Sequence, residues 1–179
     1  MAAERVPIYP NCPTITRTVT IGGLTKAALR QALQRNAILL NEAAEQLFAS
    51  ALFTTVATHT PLQTVELTVQ DLGFPEGATI AAISERTSTL GLSLCPLEVG
   101  PHLRLHYLDQ PEGYWGQPVL EQRAPSGSVT IASAPLVADD EFPKGFYLRR
   151  IQGALWLRGY RSGPDHVWSA GDHFVFRQM

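Results

Sequence analysis

The stretch Phe146-Tyr147-Leu148-Arg149-Arg150-Ile151-Gln152-Gly153-Ala154-Leu155-Trp156-Leu157-Arg158-Gly159-Tyr160 reads as two strands and the turn that joins them. Phe146–Ile151 and Ala154–Tyr160 have a period near two, and Gly153 supplies the tolerance of positive φ that a two-residue hairpin needs. An antiparallel pair is expected here. On its second strand Trp156, Arg158 and Tyr160 share one face, with Leu155 and Leu157 on the other.

Working outward, the segments His102–Tyr107, Ser128–Ala134 and His173–Arg177 carry the same period and are expected as further strands. Upstream, Thr14–Ile21 alternates β-branched residues, and Thr64–Val69 alternates Val65, Leu67 and Val69 with polar residues, so both are expected strands. Thr25 caps a helix through Leu29 and Leu33, and Asn41 caps another through Ala44, Leu47, Phe48, Ala51 and Leu52. The short Asn36–Leu40 link between them predicts an αα-hairpin. A further helix is expected from the Thr79 cap to the Leu90-Gly91 stop. Helices come first and strands last. That order predicts an α+β fold, with an N-terminal helical hairpin and one further helix packed on a mainly antiparallel C-terminal sheet.

With 179 residues, 45% of them apolar and 17% charged, the chain has the length of one domain and enough apolar side chain for a core. The expected plan is a single domain over 1–179: an extended arm at 1–13, marked by Pro7, Pro10 and Pro13, a helix-rich part at 14–91 and a strand-rich part at 92–179. Gly113–Gly127 and Ala138–Gly145 read as loops. Two cysteines, Cys12 and Cys95, make neither a disulfide framework nor a four-cysteine zinc site. The first residues lack a signal-peptide core, and no stretch approaches the ~20 apolar residues of a membrane span. A soluble, cytoplasmic protein with no membrane partner is expected. The net charge of −2 is a sum of unlike parts: residues 1–143 carry 8 Lys+Arg against 14 Asp+Glu, residues 144–179 carry 6 against 2.

Three groups of residues could carry chemistry. On a strand, His102, Arg104 and His106 would share a face, two imidazoles flanking a guanidinium, able to bind a phosphate or serve as acid and base with Glu98 or Asp109 assisting. The same alternation is also what a half-buried strand with one wet face shows. At ~3.3 Å per residue the two imidazoles would lie roughly 13 Å apart, too far to ligate one ion. The second group, Asp165-His166 and Asp172-His173, flanks a turn at Ser169–Gly171 and is compatible with metal binding or an Asp-oriented histidine, though aspartates that merely start turns, with histidines at strand ends, are the favoured reading. The third comprises Arg149, Arg150, Arg158 and Arg161, interleaved with Phe146, Tyr147, Trp156 and Tyr160, a basic and aromatic surface.

Other motifs are incomplete. Gly22-Gly23-Leu24-Thr25-Lys26 lies between strand and helix but lacks phosphate-loop spacing, and reads as a turn with a helix cap. Cys95 has no cationic sequence neighbour and is expected to be buried and inert. Asp139-Asp140-Glu141 lacks the alternate spacing of a calcium loop. No metal site and no cofactor is expected.

Leu94-Cys95-Pro96, then Glu98-Val99-Gly100-Pro101-His102-Leu103-Arg104-Leu105, Tyr107 and Asp109-Gln110-Pro111, followed by Trp168 and Phe174-Val175-Phe176, resemble a family of small uncharacterised bacterial proteins. The resemblance spans roughly residues 94–111 and 145–177. It implies no activity, cofactor or catalytic residue, and against it Gly116–Gly127 looks like extra loop.

Taken together, these features favour a non-enzymatic binding module whose basic-aromatic face, Arg149, Arg150, Trp156, Arg158 and Tyr160, meets an anionic small molecule or a protein partner. Nucleic acid is possible but disfavoured by the net charge of −2. The alternative is a metal-independent phosphodiester hydrolase, RNase-like, using His102, Arg104 and His106 with Glu98. A structural or assembly role, with homo-oligomerisation, is the third reading.

Overall fold

The computed structural model describes residues 5–113 and 127–179. In chain order these form β1 (Ile15–Ile21), α1 (Lys26–Arg35), β2 (Leu39–Leu40), α2 (Glu42–Ala49), β3 (Thr60–Thr68), a 3₁₀ turn (Gln70–Leu72), β4 (Ala78–Thr79), α3 (Ile80–Thr89), β5 (Leu92–Ser93), α4 (Val99–His106), β6 (Val129–Ile131), β7 (Gly145–Ile151), β8 (Ala154–Tyr160), β9 (Val167–Trp168) and β10 (His173–Gln178). The fold is α+β. An eight-stranded mixed sheet runs in the order β1-β3-β10-β6-β7-β8-β2, with β5 pairing beside β10, and β4-β9 form a small second sheet. Most pairs are antiparallel; β10-β6 and β2-β8 are parallel.

The β7–β8 hairpin forms as its sequence predicts, in register from Gly145↔Tyr160 to Ile151↔Ala154. Gln152 and Gly153 both have positive φ, 51° and 76°, the turn geometry whose twist matches that of the flanking strands. The predicted caps also form: the side chains of Thr25, Asn41 and Thr79 accept from the backbone N–H groups of Ala28, Ala44 and Ala82.

Three expectations are corrected. The helical hairpin is interrupted, because Leu39–Leu40 between α1 and α2 joins the sheet edge as β2. A two-residue strand leaves no period to read. The sheet is not confined to the C-terminal part, since the helix-rich part supplies β1, β2 and β3. Most consequentially, the expected strand at His102–Tyr107 is the helix α4. Pro101 sits in its first turn, where a missing N–H breaks no intrahelical bond. Val99 and Leu103, one turn apart, are both buried, so a helical period coexists with the alternation of Leu103 and Leu105. Gly100 lets α4 lie tight on β7: a Cβ there would come within 2.8 Å of Phe146.

Two apolar layers hold the sheet. On one face Val19, Ile21, Leu62, Val129, Ile131, Leu148, Leu157 and Val175 pack with side chains of α1, α2 and α4. On the other, Val65, Leu67, Phe174 and Phe176 pack with Leu72, Ile83 and Trp168. The N-terminal arm docks on that second layer, with Tyr9 N–H donating to Asp71 O at 2.8 Å and Gln178 Nε2 donating to the Tyr9 hydroxyl at 3.1 Å. No helix among the described residues is long and apolar enough to cross a membrane.

Candidate functional site

On α4 the side chains rotate by about 100° per residue, which separates residues a strand would have aligned. Arg104 is fully buried. Its Nη1 donates to Gln110 Oε1 at 2.6 Å and to the Trp156 carbonyl at 3.3 Å, and Nη2 donates to the Tyr107 carbonyl. Burial pushes the guanidinium down to about 10, still charged at neutral pH. It is a strut inside the protein, out of reach of a substrate. Gln110 completes the strut by donating to the carbonyls of Gly127 and Leu148.

Glu98 and His102 form a buried pair, Nε2 to Oε2 at 3.3 Å. Burial lowers the His102 pKa, and the nearby His106 and His59 add to the effect, against the opposing pull of Glu98. Glu98 is also committed to the backbone, accepting from Gly22 N–H at 3.3 Å and Val56 N–H at 2.9 Å. Gly23 N–H donates to Val56 O. The glycine turn therefore spends these amides internally and offers no phosphate cradle, as the turn reading expects. His106 is exposed, one turn from His102.

A second carboxylate–imidazole pair lies on the sheet. Glu66, buried on β3, accepts from Arg17 Nη1 at 2.7 Å and pairs with His173 Nδ1 at 3.0 Å. The Arg17 guanidinium lies over the Tyr107 ring, 4.4 Å from its centroid. Burial of Glu66 opposes its charge, but the hydrogen bonds from His173 and Arg17 outweigh burial and hold its pKa below the usual value. In turn the Glu66 hydrogen bond raises the pKa of His173, whose side chain remains 43% exposed. His173 Nε2 has no hydrogen-bond partner among the described residues. His173 is thus oriented by Glu66. Asp172 accepts from Ser169 N–H and closes the turn, while His166 lies edge-on to Trp168 at 5.0 Å.

The arginines of the hairpin divide between faces. Tyr147, Arg149, Trp156, Arg158 and Tyr160 share one face, with Tyr147↔Arg158 and Arg149↔Trp156 directly opposed; Arg150 lies on the other. Arg150 Nε lies 3.4 Å from Glu112 Oε2. Arg149 is buried. Arg158 differs from both. Its guanidinium lies over Trp156 at 4.9 Å and near Tyr147 at 6.0 Å, and Nε donates to the Tyr147 hydroxyl at 2.8 Å. Its two terminal nitrogens have no partner among the described residues. Tyr147, Tyr160, Trp168 and Phe174 continue as an aromatic row, with centroids 6.5, 5.6 and 4.8 Å apart, that roots this face in the second core layer. Burial raises the Tyr160 pKa and keeps the phenol neutral.

The remaining candidates are structural. Cys95 is buried against Val175 O, and burial pushes its thiol up to about 12. Asp139 accepts from Glu141 N–H and Lys144 pairs with Asp140 at 3.6 Å, so the acidic run forms a turn. No group of three or more His, Cys, Asp or Glu among the described residues could hold a metal ion. The Gly113–Gly127 loop lies almost wholly outside the described residues. Compared with family models, curated proteins and solved structures, the chain finds no match in any of the three.

Glu66, Arg17 and Tyr107 are the residues that sequence reading passed over. Glu66 sits between Val65 and Leu67 and reads as the wet position of an alternating strand. The signal is that β3 carries apolar or buried side chains on both faces, so a carboxylate within it needs cationic partners.

Proposed function

We propose that this protein is a binding module for an anionic small molecule, with the phosphate or carboxylate seated on the β7–β8 face at Arg158. One observation carries the reading: the Arg158 guanidinium is held in place by the Trp156 ring and the Tyr147 hydroxyl while its two terminal nitrogens stay unpartnered among the described residues. A guanidinium oriented in advance loses little freedom on forming a bidentate pair with a phosphate or carboxylate. The aromatic surface beside it suits an apolar or planar body attached to that anion. Arg149 and Tyr160 frame the site, and Arg150, on the opposite face, contributes through Glu112 and not by contact. Calorimetric titration with inorganic phosphate, citrate and a nucleoside monophosphate tests the reading. At least one should bind the wild type and bind Arg158→Ala at least tenfold more weakly; equal affinities, or no binding of any of the three, would overturn it.

A second reading transfers the hydrolase from α4 to the sheet. It is favoured by His173, whose Nδ1 is fixed by a buried carboxylate and whose Nε2 is unpartnered, the arrangement of an oriented general base. An RNA-cleavage assay comparing the wild type with His173→Ala decides it, because equal activity, or none in either, removes it.

A further inference from the structure

β1 ends the sheet: β3 pairs along one side, and among the described residues nothing pairs with the other. The two ends of the sheet are unlike. β2 closes one end with only two residues, whereas β1 presents seven, in unbroken register with β3 and without a bulge, a proline or a lysine. Edges are normally blunted by shortness, bulges, proline or charge, because a row of free N–H and C=O groups recruits another strand. β1 lacks the first three, and its one charged side chain, Arg17, is spent on Glu66. Thr16 and Thr18 are exposed, and Ile15 is 50% exposed.

The strand Ile15-Thr16-Arg17-Thr18-Val19-Thr20-Ile21 reads nearly the same in both directions. Laid antiparallel on a second copy about a two-fold axis at Thr18, it sets Ile15 against Ile21, Thr16 against Thr20, Arg17 against Val19, and Thr18 against its own copy. One face then carries only threonine pairs, which are favourable across strands. Charge selects the occupant. Arg17 is the strand's one charged residue, and it is already paired with Glu66 and stacked on Tyr107. In the two-fold register it faces Val19, so no like charges meet, and no free cation on the strand awaits an acidic peptide. Most of the apolar stripes of α1 and α2 is spent within the chain, where Leu29, Leu33, Leu47 and Phe48 are buried, and Leu52, past the end of α2, is exposed. The geometry points to a homodimer in which two β1 strands pair antiparallel through Thr18 and join two sheets into one.

Thr18 is the position where the chain would meet itself, and its hydroxyl makes one exposed hydrogen bond, to Gln63 Oε1 at 3.2 Å. Thr18→Lys and Thr18→Glu each set like charges across the axis; mixed in equal amounts they set opposite ones. Size-exclusion chromatography with light scattering should give the wild type at twice the 19.6 kDa chain mass, each variant alone at the chain mass, and the mixture at twice it again. Amide hydrogen exchange in the wild type needs no substitution: protection along β1 should rise with protein concentration. A wild type at the chain mass, dimers in both single variants, or β1 protection independent of concentration would overturn the inference.

Discussion

Trp156 has an arginine on each side of the sheet, and the two do opposite things. On the core side Arg104 donates from Nη1 to Gln110 and the Trp156 carbonyl and from Nη2 to the Tyr107 carbonyl, so both of its terminal nitrogens are engaged. On the outer side Arg158 stacks on the Trp156 ring, donates once to Tyr147, and keeps its terminal nitrogens unpartnered. Both are arginines in apolar and aromatic company. What separates them is that the terminal nitrogens of Arg104 are bonded and buried inside the protein, whereas those of the half-buried Arg158 stay unpartnered among the described residues and can take a ligand.

The largest effect that follows is on the core side. Arg104→Ala removes the donor from one buried and two part-buried acceptors and should cost about 3–5 kcal/mol, read from urea unfolding. Arg104→Ala losing less than 1 kcal/mol by that measure would erase the distinction between the two arginines. Next comes Glu98→Ala, which strands the Gly22 and Val56 amides. Thermal unfolding should report a loss of about 1–3 kcal/mol, with the β1–α1 turn loosened in hydrogen exchange.

The two Glu–His pairs extend the same contrast into pH. His173 is raised in the fold, so its contribution to stability is full below about 6.5 and is lost as pH rises through its raised pKa. Glu66 is lowered, so its contribution is present above about 4.3 and is lost as pH falls through its lowered pKa. His102 runs the other way from His173: it favours the neutral form, and its burial costs stability as pH falls from about 6.5. As pH falls, the wild type should therefore gain stability relative to His173→Gln and lose it relative to His102→Gln, the first change developing above about 6.5 and the second below it. Differences that change with the same sign as pH falls would contradict the assignment. The smallest effect on stability belongs to Arg158→Ala, within about 0.5 kcal/mol of wild type in urea.

What could be read from the chain followed the range of the interactions. The β7–β8 hairpin and the caps at Thr25, Asn41 and Thr79 are local, and each was legible from a few adjacent residues. α4 was not, because in Val99–His106 a two-residue alternation and a helical spacing are both satisfied, and packing of Val99 and Leu103 decides between them. That one misreading displaced the first candidate site, since a helix turns Arg104 away from its histidines. The shared face of Trp156, Arg158 and Tyr160 was legible because strand alternation fixes it. The Glu66 centre was not: its partners Arg17 and His173 lie 49 and 107 residues away, and no short motif joins them.

The most direct measurement is an amide and side-chain NH correlation spectrum recorded through a titration with inorganic phosphate. The account predicts that the Arg158 Nε–H, the Trp156 indole N–H and the backbone amides of β7 and β8 shift together, while the Trp168 indole and α4 stay in place, and that the shifts vanish in Arg158→Ala. Shifts confined to α4, or unchanged by that substitution, would contradict it.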